Sequence, residues 1–181
     1  MTISKKTLFI SLLISPLLHA NGQNLNTKIC NFNPHHDTQP VLNLFEKNWD
    51  RLTEDTDKTL PAFMLKHRTH DTNPKNFGTL HIKVLHENNH LAGFVAYYIE
   101  KPQKGQILLL AVGENFRGKG YGKKLMQCAM KKLLSMKANH ITLWTDTDNI
   151  HAQRVYEGLG FQGKFNPNNG HMQFTYWPKK E

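Results

Sequence analysis

Two cysteines in 181 residues are too few to imply a disulfide framework. Low-complexity tracts and internal repeats are also missing. The length suits one domain with a substantial core and would cramp two. The apolar stretch from Leu8 to Leu18 falls short of the ~20 residues that a spanning helix needs, and Pro16 interrupts it. Acidic residues are scarce, 14 against 23 basic ones, which leaves a net charge of +9. That balance suits an anionic ligand such as a nucleotide, a membrane surface or nucleic acid, and by itself selects none of them. No aromatic run interleaves with the lysines, so the nucleic-acid reading lacks the stacking residues it needs. His35, His36 and Asp37 have no further ligand at recognisable spacing, so no metal is expected and the segment reads as a solvated loop.

Lys5 and Lys6 precede the Leu8–Leu18 run, which closes at Leu18-His19-Ala20 before polar Asn21-Gly22-Gln23-Asn24. This pattern describes a secretory signal peptide over residues 1–20, followed by a linker over 21–27 and one domain over 28–181. The expectation is export to a periplasmic or extracellular space; the alternative is a retained, cytoplasmic extension. Cys30 and Cys128 could pair in an oxidising space, although Cys128 reads better as a small buried side chain on a helix.

The richest stretch runs from Gln106 to Met136. Ile107 to Val112 is a short apolar run bounded by turn residues, hence a buried strand. A turn follows, Arg117-Gly118-Lys119-Gly120-Tyr121-Gly122. A helix then places Leu125, Ala129 and Leu133 on one stripe. Strand, glycine turn and helix start form a phosphate-binding arrangement, because the first helical N–H groups lack partners and the macrodipole is positive there. The P-loop pattern fails for want of a hydroxyl residue after Lys119, and the dinucleotide fingerprint fails at Lys123. The pattern [QR]-x-x-G-x-[GA] is met by Arg117, Gly120 and Gly122.

Elsewhere the pattern predicts a strand over 28–33, helices over 41–49 and 61–67, and a loop over 68–78. A hairpin over 80–85 and 91–99 follows, turning at Glu87-Asn88-Asn89. Further on come a strand over 140–145, a helix over 149–157, and strands near 161–165 and 171–177. Strands first, then alternating strand and helix, give an α/β mixed sheet with helices on both faces. Asn149 suits a helix start, Gly158 or Gly160 a stop, and Tyr156 lies two turns below Asn149 on the same face.

Asn149, Ala152, Tyr156, Gly160 and Phe161 also fall on N-x-x-A-x-x-x-Y-x-x-x-G-F. With the glycine turn, this resembles the GNAT-type acetyltransferases, over about residues 30–178. The resemblance implies the GNAT acyl-CoA N-acyltransferase fold, whose splayed central strands admit the arm of acetyl-CoA. It implies that Leu110, Ala111 and Val112 pair with that arm, and that backbone N–H groups of Arg117, Gly118, Lys119, Gly120, Tyr121 and Gly122 hold the pyrophosphate beside Lys123. Asn149 would contact the cofactor and Tyr156 would protonate the leaving thiolate. Where N-terminal acetyltransferases of the family have a glutamate, this chain has Trp144. Where many members have Pro-Glu after the central strand, it has Glu114-Asn115. Glu114 is therefore the candidate base, with His86 and Asp146 as alternatives. The implied function is acetyl-CoA-dependent N-acetyl transfer to an amine acceptor, a small amine or a protein lysine or N-terminus. The alternative is a catalytically degenerate domain that binds a CoA-like ligand or a partner protein.

Overall fold

The computed structural model describes residues 26–52, 58–68, 78–100 and 103–179. The expected signal segment and most of both the expected linker and the polar loop over 68–78 lie outside the described residues. Among the described residues, seven strands form one sheet: β1 (Thr27–Asn31), β2 (His81–Glu87), β3 (His90–Glu100), β4 (Lys104–Val112), β5 (His140–Thr145), β6 (Gln162–Asn166) and β7 (His171–Tyr176). Their spatial order is β1-β2-β3-β4-β5-β7-β6. Every neighbouring pair is antiparallel except β4 and β5, which run parallel. The expected mixed sheet is therefore present.

Helices cover both faces, and each face has its own core. On one, Leu125, Ala129 and Leu133 of α4 (Tyr121–Ser135) are fully buried against Val95, Ile141, Leu143 and Phe174. This is the stripe that the helical spacing predicts. On the other face, Val41, Leu44 and Phe45 of α1 (Pro34–Glu46) and Met64 of α3 (Leu60–His67) pack on Val84, Phe94 and Leu109. The described residues also form α2 (Trp49–Leu52) and α5 (Ile150–Glu157). No helix among the described residues is long and apolar enough to cross a membrane.

The first helix departs from expectation. It starts at Pro34 rather than near Val41, so His35, His36 and Asp37 form its opening turn and not a solvated loop. The local chemistry explains this. The Asn33 side chain accepts the His35 N–H at 3.0 Å, and Pro34 occupies the first position, where no N–H is needed. Asp37 is buried, and its Oδ2 accepts the Asn33 N–H at 2.7 Å. The helix also stops at Glu46, and Trp49 opens α2 instead. The β2–β3 turn is shorter than expected: Glu87 belongs to the strand, and Asn88 and Asn89 alone make the loop, both at positive φ as a two-residue hairpin requires. The cysteines are unpaired. Cys30 packs with the α1-side core and Cys128 sits on α4 across the sheet.

Gly93 lets β3 and β4 approach closely, since a Cβ there would lie 2.7 Å from the Ala111 carbonyl oxygen. Gly93→Ala is expected to destabilise the protein by about 1–3 kcal/mol through this overpacking. Urea unfolding measures it, and an unchanged midpoint would show that β4 yields without cost.

Candidate functional site

The sheet opens at its centre. β4 and β5 pair only at Lys104–His140, Gly105–Ile141 and Gln106–Thr142. Beyond that point Ile107–Val112 and Leu143–Thr145 have no partner across the boundary. The divergence starts at a buried side-chain bond, with the Thr142 hydroxyl donating to Gln106 Oε1 at 2.5 Å. Backbone N–H and C=O groups in a sheet interior demand partners. The unpaired run on β4 therefore makes a slot that suits an extended ligand with amide groups of its own. Leu110 and Val112 are half-buried along it and Ala111 is buried.

At the open end of the slot, the chain turns from β4 into α4. Gly118 and Gly120 adopt positive φ of 76° and 75°, and a Cβ on either would meet nothing within 4 Å. The turn thus offers free space beside backbone. Gly120 is the N-cap of α4 and makes no side-chain cap bond, and the first turn contains no acidic residue. It carries exposed Lys123 and Lys124 instead. Cations at the positive end of a helix dipole are unfavourable unless an anion joins them. The N–H groups of Tyr121, Gly122 and Lys123, with those lysines, are the groups here that could hold an anion such as a phosphate.

The remaining side chains brace this turn. Lys119 reaches back, its Nζ 2.9 Å from both carboxylate oxygens of Glu87 at the end of β2. Tyr121 is buried and hydrogen-bonds the same carboxylate, so only its backbone remains available to a ligand. Arg117 Nε donates to the Val112 carbonyl at 3.3 Å and its Nη2 to Asn48 Oδ1 at 3.0 Å. On the facing side, Asn149 caps α5. Its Oδ1 accepts the Ala152 N–H at 3.4 Å and its Nδ2 donates to the Thr145 hydroxyl at 3.1 Å, which leaves one amide proton for a ligand. Tyr156 is buried, its ring edge-on to Phe174 at 5.4 Å, and burial pushes its phenol up to about 12.

The candidate bases lie in three different settings. Glu114 is exposed in a short 3-10 turn after β4. Asp146, just past β5, is 3.4 Å from both Arg51 Nη1 and His171 Nδ1. His86 lies on β2, with β3 between it and β4, and its ring is engaged by Asp37 and Cys30. Trp144, at the position where relatives were expected to carry a glutamate, is 38% exposed. No group of three or more His, Cys, Asp or Glu among the described residues is arranged to hold a metal ion.

Comparison with known proteins decides the family. The chain matches the Acetyltransferase (GNAT) family over residues 39–161, well over half its length. It belongs to the GNAT acetyltransferase family. Among curated relatives, the Bacillus subtilis spermine/spermidine N(1)-acetyltransferase is 33% identical over 99 residues, covering 50% of this chain and 62% of that protein. The Saccharomyces cerevisiae N-alpha-acetyltransferase 30 is 40% identical over 58 residues, 32% of this chain and 33% of that protein. The matched region thus spans less than two thirds of either relative. Among solved structures, Ard1 from Thermoplasma volcanium superposes with a TM-score of 0.64 at 22% identity, covering 85% of this chain and 99% of that one. The PaiA N-acetyltransferase from Thermoplasma acidophilum, solved with coenzyme A, gives 0.66 at 13% identity, covering 85% and 100%. These two likenesses establish the GNAT fold: a mixed, open sheet.

Three bracing residues of the GNAT slot escaped the sequence reading: Glu87, Asn48 and Arg51. Glu87 looks like part of a turn because Asn88-Asn89 follows it, and Arg51 reaches Asp148 at 2.7 Å across 97 residues of sequence. The hydrogen bonds to Glu87, from Lys119 first and then Tyr121, hold its carboxyl below the ordinary 4.5 against the opposing effect of burial. A depressed folded-state value means stability that is complete above the ordinary carboxylate range and is lost as pH falls through the lower folded value. The urea midpoint of the wild-type protein is expected to drop on the acid side below pH 4.5, and Glu87→Gln is expected to flatten that limb. Parallel acid limbs in the two proteins would remove Glu87 from the account.

Proposed function

We propose that this chain is an acetyl-CoA-dependent N-acetyltransferase that passes an acetyl group to a primary amine, either a small amine or a protein lysine or N-terminus, by direct attack in a ternary complex. The observation that carries this reading is the divergence of β4 from β5 with an uncapped, lysine-flanked helix start at its mouth. A thioester carrier with amide groups along its arm and a pyrophosphate at its end matches both halves of that feature. Leu110–Val112 would pair with the arm. The N–H groups at the start of α4 would take the phosphates, with Lys123 adding charge. The co-substrate supplies the activated acyl group.

The chain's own residues then have separable tasks. Placing an amine and a thioester in one slot removes much of the entropic barrier. A backbone N–H near Val112 is aimed along the unpaired edge of β4, where negative charge builds on the carbonyl oxygen. The attacking amine must lose a proton, and Glu114 is assigned that task, with Asp146 as the alternative. Tyr156 gives the proton to the leaving thiolate. Because burial raises this phenol, it stays protonated at every pH below about 12 and no loss of the donor is expected in the neutral range. Two curated relatives are named for acetylation of spermine or spermidine at N(1) and of an alpha-amine, which supports an amine acceptor. Export, in line with the N-terminal pattern, belongs to this proposal as well and would place the protein where it meets acetyl-CoA only after delivery into another cytosol.

Calorimetric titration with acetyl-CoA, paired with thiol release on a panel of amines and peptides, tests the reading. Gly120→Val puts a β-branched residue at a φ of +75° and is expected to weaken acetyl-CoA binding by about 100-fold. Tyr156→Phe is expected to lower kcat by about 100-fold with little change in binding. Binding without turnover on any acceptor would favour a domain that only holds a CoA-like ligand. Absence of binding by the folded protein would overturn both readings.

A further inference from the structure

A second set of reactive side chains lies on the α1 face of the sheet, away from the slot. Cys30 Sγ of β1 is 3.6 Å from His86 Nδ1 of β2, and His86 Nε2 is 3.1 Å from Asp37 Oδ1 in the first turn of α1. Three elements thus bring a thiol, an imidazole and a carboxylate into line, one ring nitrogen facing each neighbour. This is the nucleophile–base–orienter order used for covalent catalysis. The order is held from the closed end. Asp37 Oδ2 is fixed by the Asn33 N–H, which leaves Oδ1 for the ring. A carboxylate only accepts, so in the neutral ring Nε2 carries the hydrogen and Nδ1 presents its lone pair to the thiol.

Exposure rises along the chain of groups. The Asp37 side chain is 4% exposed, that of His86 23%, and Cys30 is half-buried on the edge strand of the sheet. We propose that Cys30, His86 and Asp37 form a thiol site that takes up an acyl group from a small acyl thioester. The chemistry favours acyl exchange over alkylation or oxidation, because only acyl exchange uses the imidazole twice. The Cys30 sulfur bonds to the acyl carbon as its proton passes to His86 Nδ1. The carbon–sulfur bond of the incoming thioester then breaks, and the departing thiolate takes the proton back from Nδ1. One thioester and one thiol become another thioester and another thiol, with no change of oxidation state. Asp37 faces the positive ring during the exchange. Burial first, and then Asp37, push the Cys30 thiol above its ordinary value, while Lys28 and Lys83 pull it down. The resting group is therefore S–H, which needs the base beside it.

Cys128 supplies an internal control, since it is a free, half-buried thiol with no imidazole hydrogen-bonded to it among the described residues. The full chain is incubated with S-acetyl-N-acetylcysteamine, a thioester without nucleotide, and both cysteine peptides are followed by mass spectrometry. The expected result is one hydroxylamine-sensitive acetyl group on Cys30, formed at least ~10-fold faster than on Cys128. His86→Gln is expected to slow Cys30 by about 100-fold and leave Cys128 unchanged. Asp37→Asn, which keeps the shape of the carboxylate, is expected to slow Cys30 by about 10-fold, and serves if His86→Gln does not fold. Equal rates at the two cysteines of the folded protein, or an unchanged Cys30 rate in either variant, would overturn the proposal. Acetyl-CoA binding in the slot is measured separately and bears on neither outcome.

Discussion

The parting of β4 and β5 after Gln106 and Thr142 is the constraint on which the rest of this protein depends. Two parallel neighbours that separate leave main-chain groups without partners inside a sheet, and that is costly unless a ligand or solvent completes them. The protein sets the point of separation with a buried side-chain bond between Gln106 and Thr142. It holds the two halves by independent means. β4 is locked to β3 along most of its length, and β5 is locked to β7. The slot is thus stable without contacts across it, so it is ready before anything binds. Preorganisation of this kind lowers the ordering cost that association would otherwise carry.

The electrostatics at the mouth follow the same logic. A helix start without a capping side chain, followed by two lysines, is a poor local design taken alone. It makes sense once an anion is counted as part of the site. Lys119 is the exception that clarifies the rule. Its charge is neutralised by Glu87, so it shapes the loop, while Lys123 and Lys124 remain exposed beside the N–H groups that open α4. On the α1 face, Asn48 binds Arg117 after β4 and Arg51 binds Asp146 and Asp148 after β5. One short segment therefore touches both sides of the opening. These bonds are exposed, and exposed ion pairs contribute little to stability. Their effect lies in where they place α2.

Local chemistry made much of this legible in advance. β5 runs over His140–Thr145 and α5 follows its Asn149 cap as the residue pattern predicts, and the α4 stripe is buried. All three features rest on neighbours close in sequence. The start of α1 was misread because two histidines and an aspartate resemble a polar loop, although Asn33-Pro34 is a helix-opening pair. Glu87 and the Cys30–His86–Asp37 set were invisible for a different reason. Their partners stand 32, 56 and 49 residues away in sequence, and no periodicity records such meetings. The pairing of β1 with β2 brings Cys30 near His86, and the packing of α1 and of the glycine turn against the sheet brings Asp37 and Lys119 to β2.

That register gives β2 a double duty at its end. His86 shares the face of Val84 and looks toward α1, while Glu87 shares the face of Leu85 and looks toward α4, because side chains alternate along a strand. A slip of one residue would exchange the two and place a carboxylate beside Cys30 and an imidazole under Lys119. The pairing with β3 shifts at this point, with Leu85 opposite Gly93 but His86 opposite Leu91. The extra residue, Ala92, is left out of the ladder, and its carbonyl accepts the Gly113 N–H at 2.9 Å where β4 ends. This bond continues the β3–β4 register, in which Gly93 lies opposite Val112, and ties the hairpin to the end of β4 ahead of the glycine turn. The last two residues of β2 therefore serve both sites from opposite sides of the sheet, His86 through Asp37 of α1 and Glu87 through Lys119 of the glycine turn.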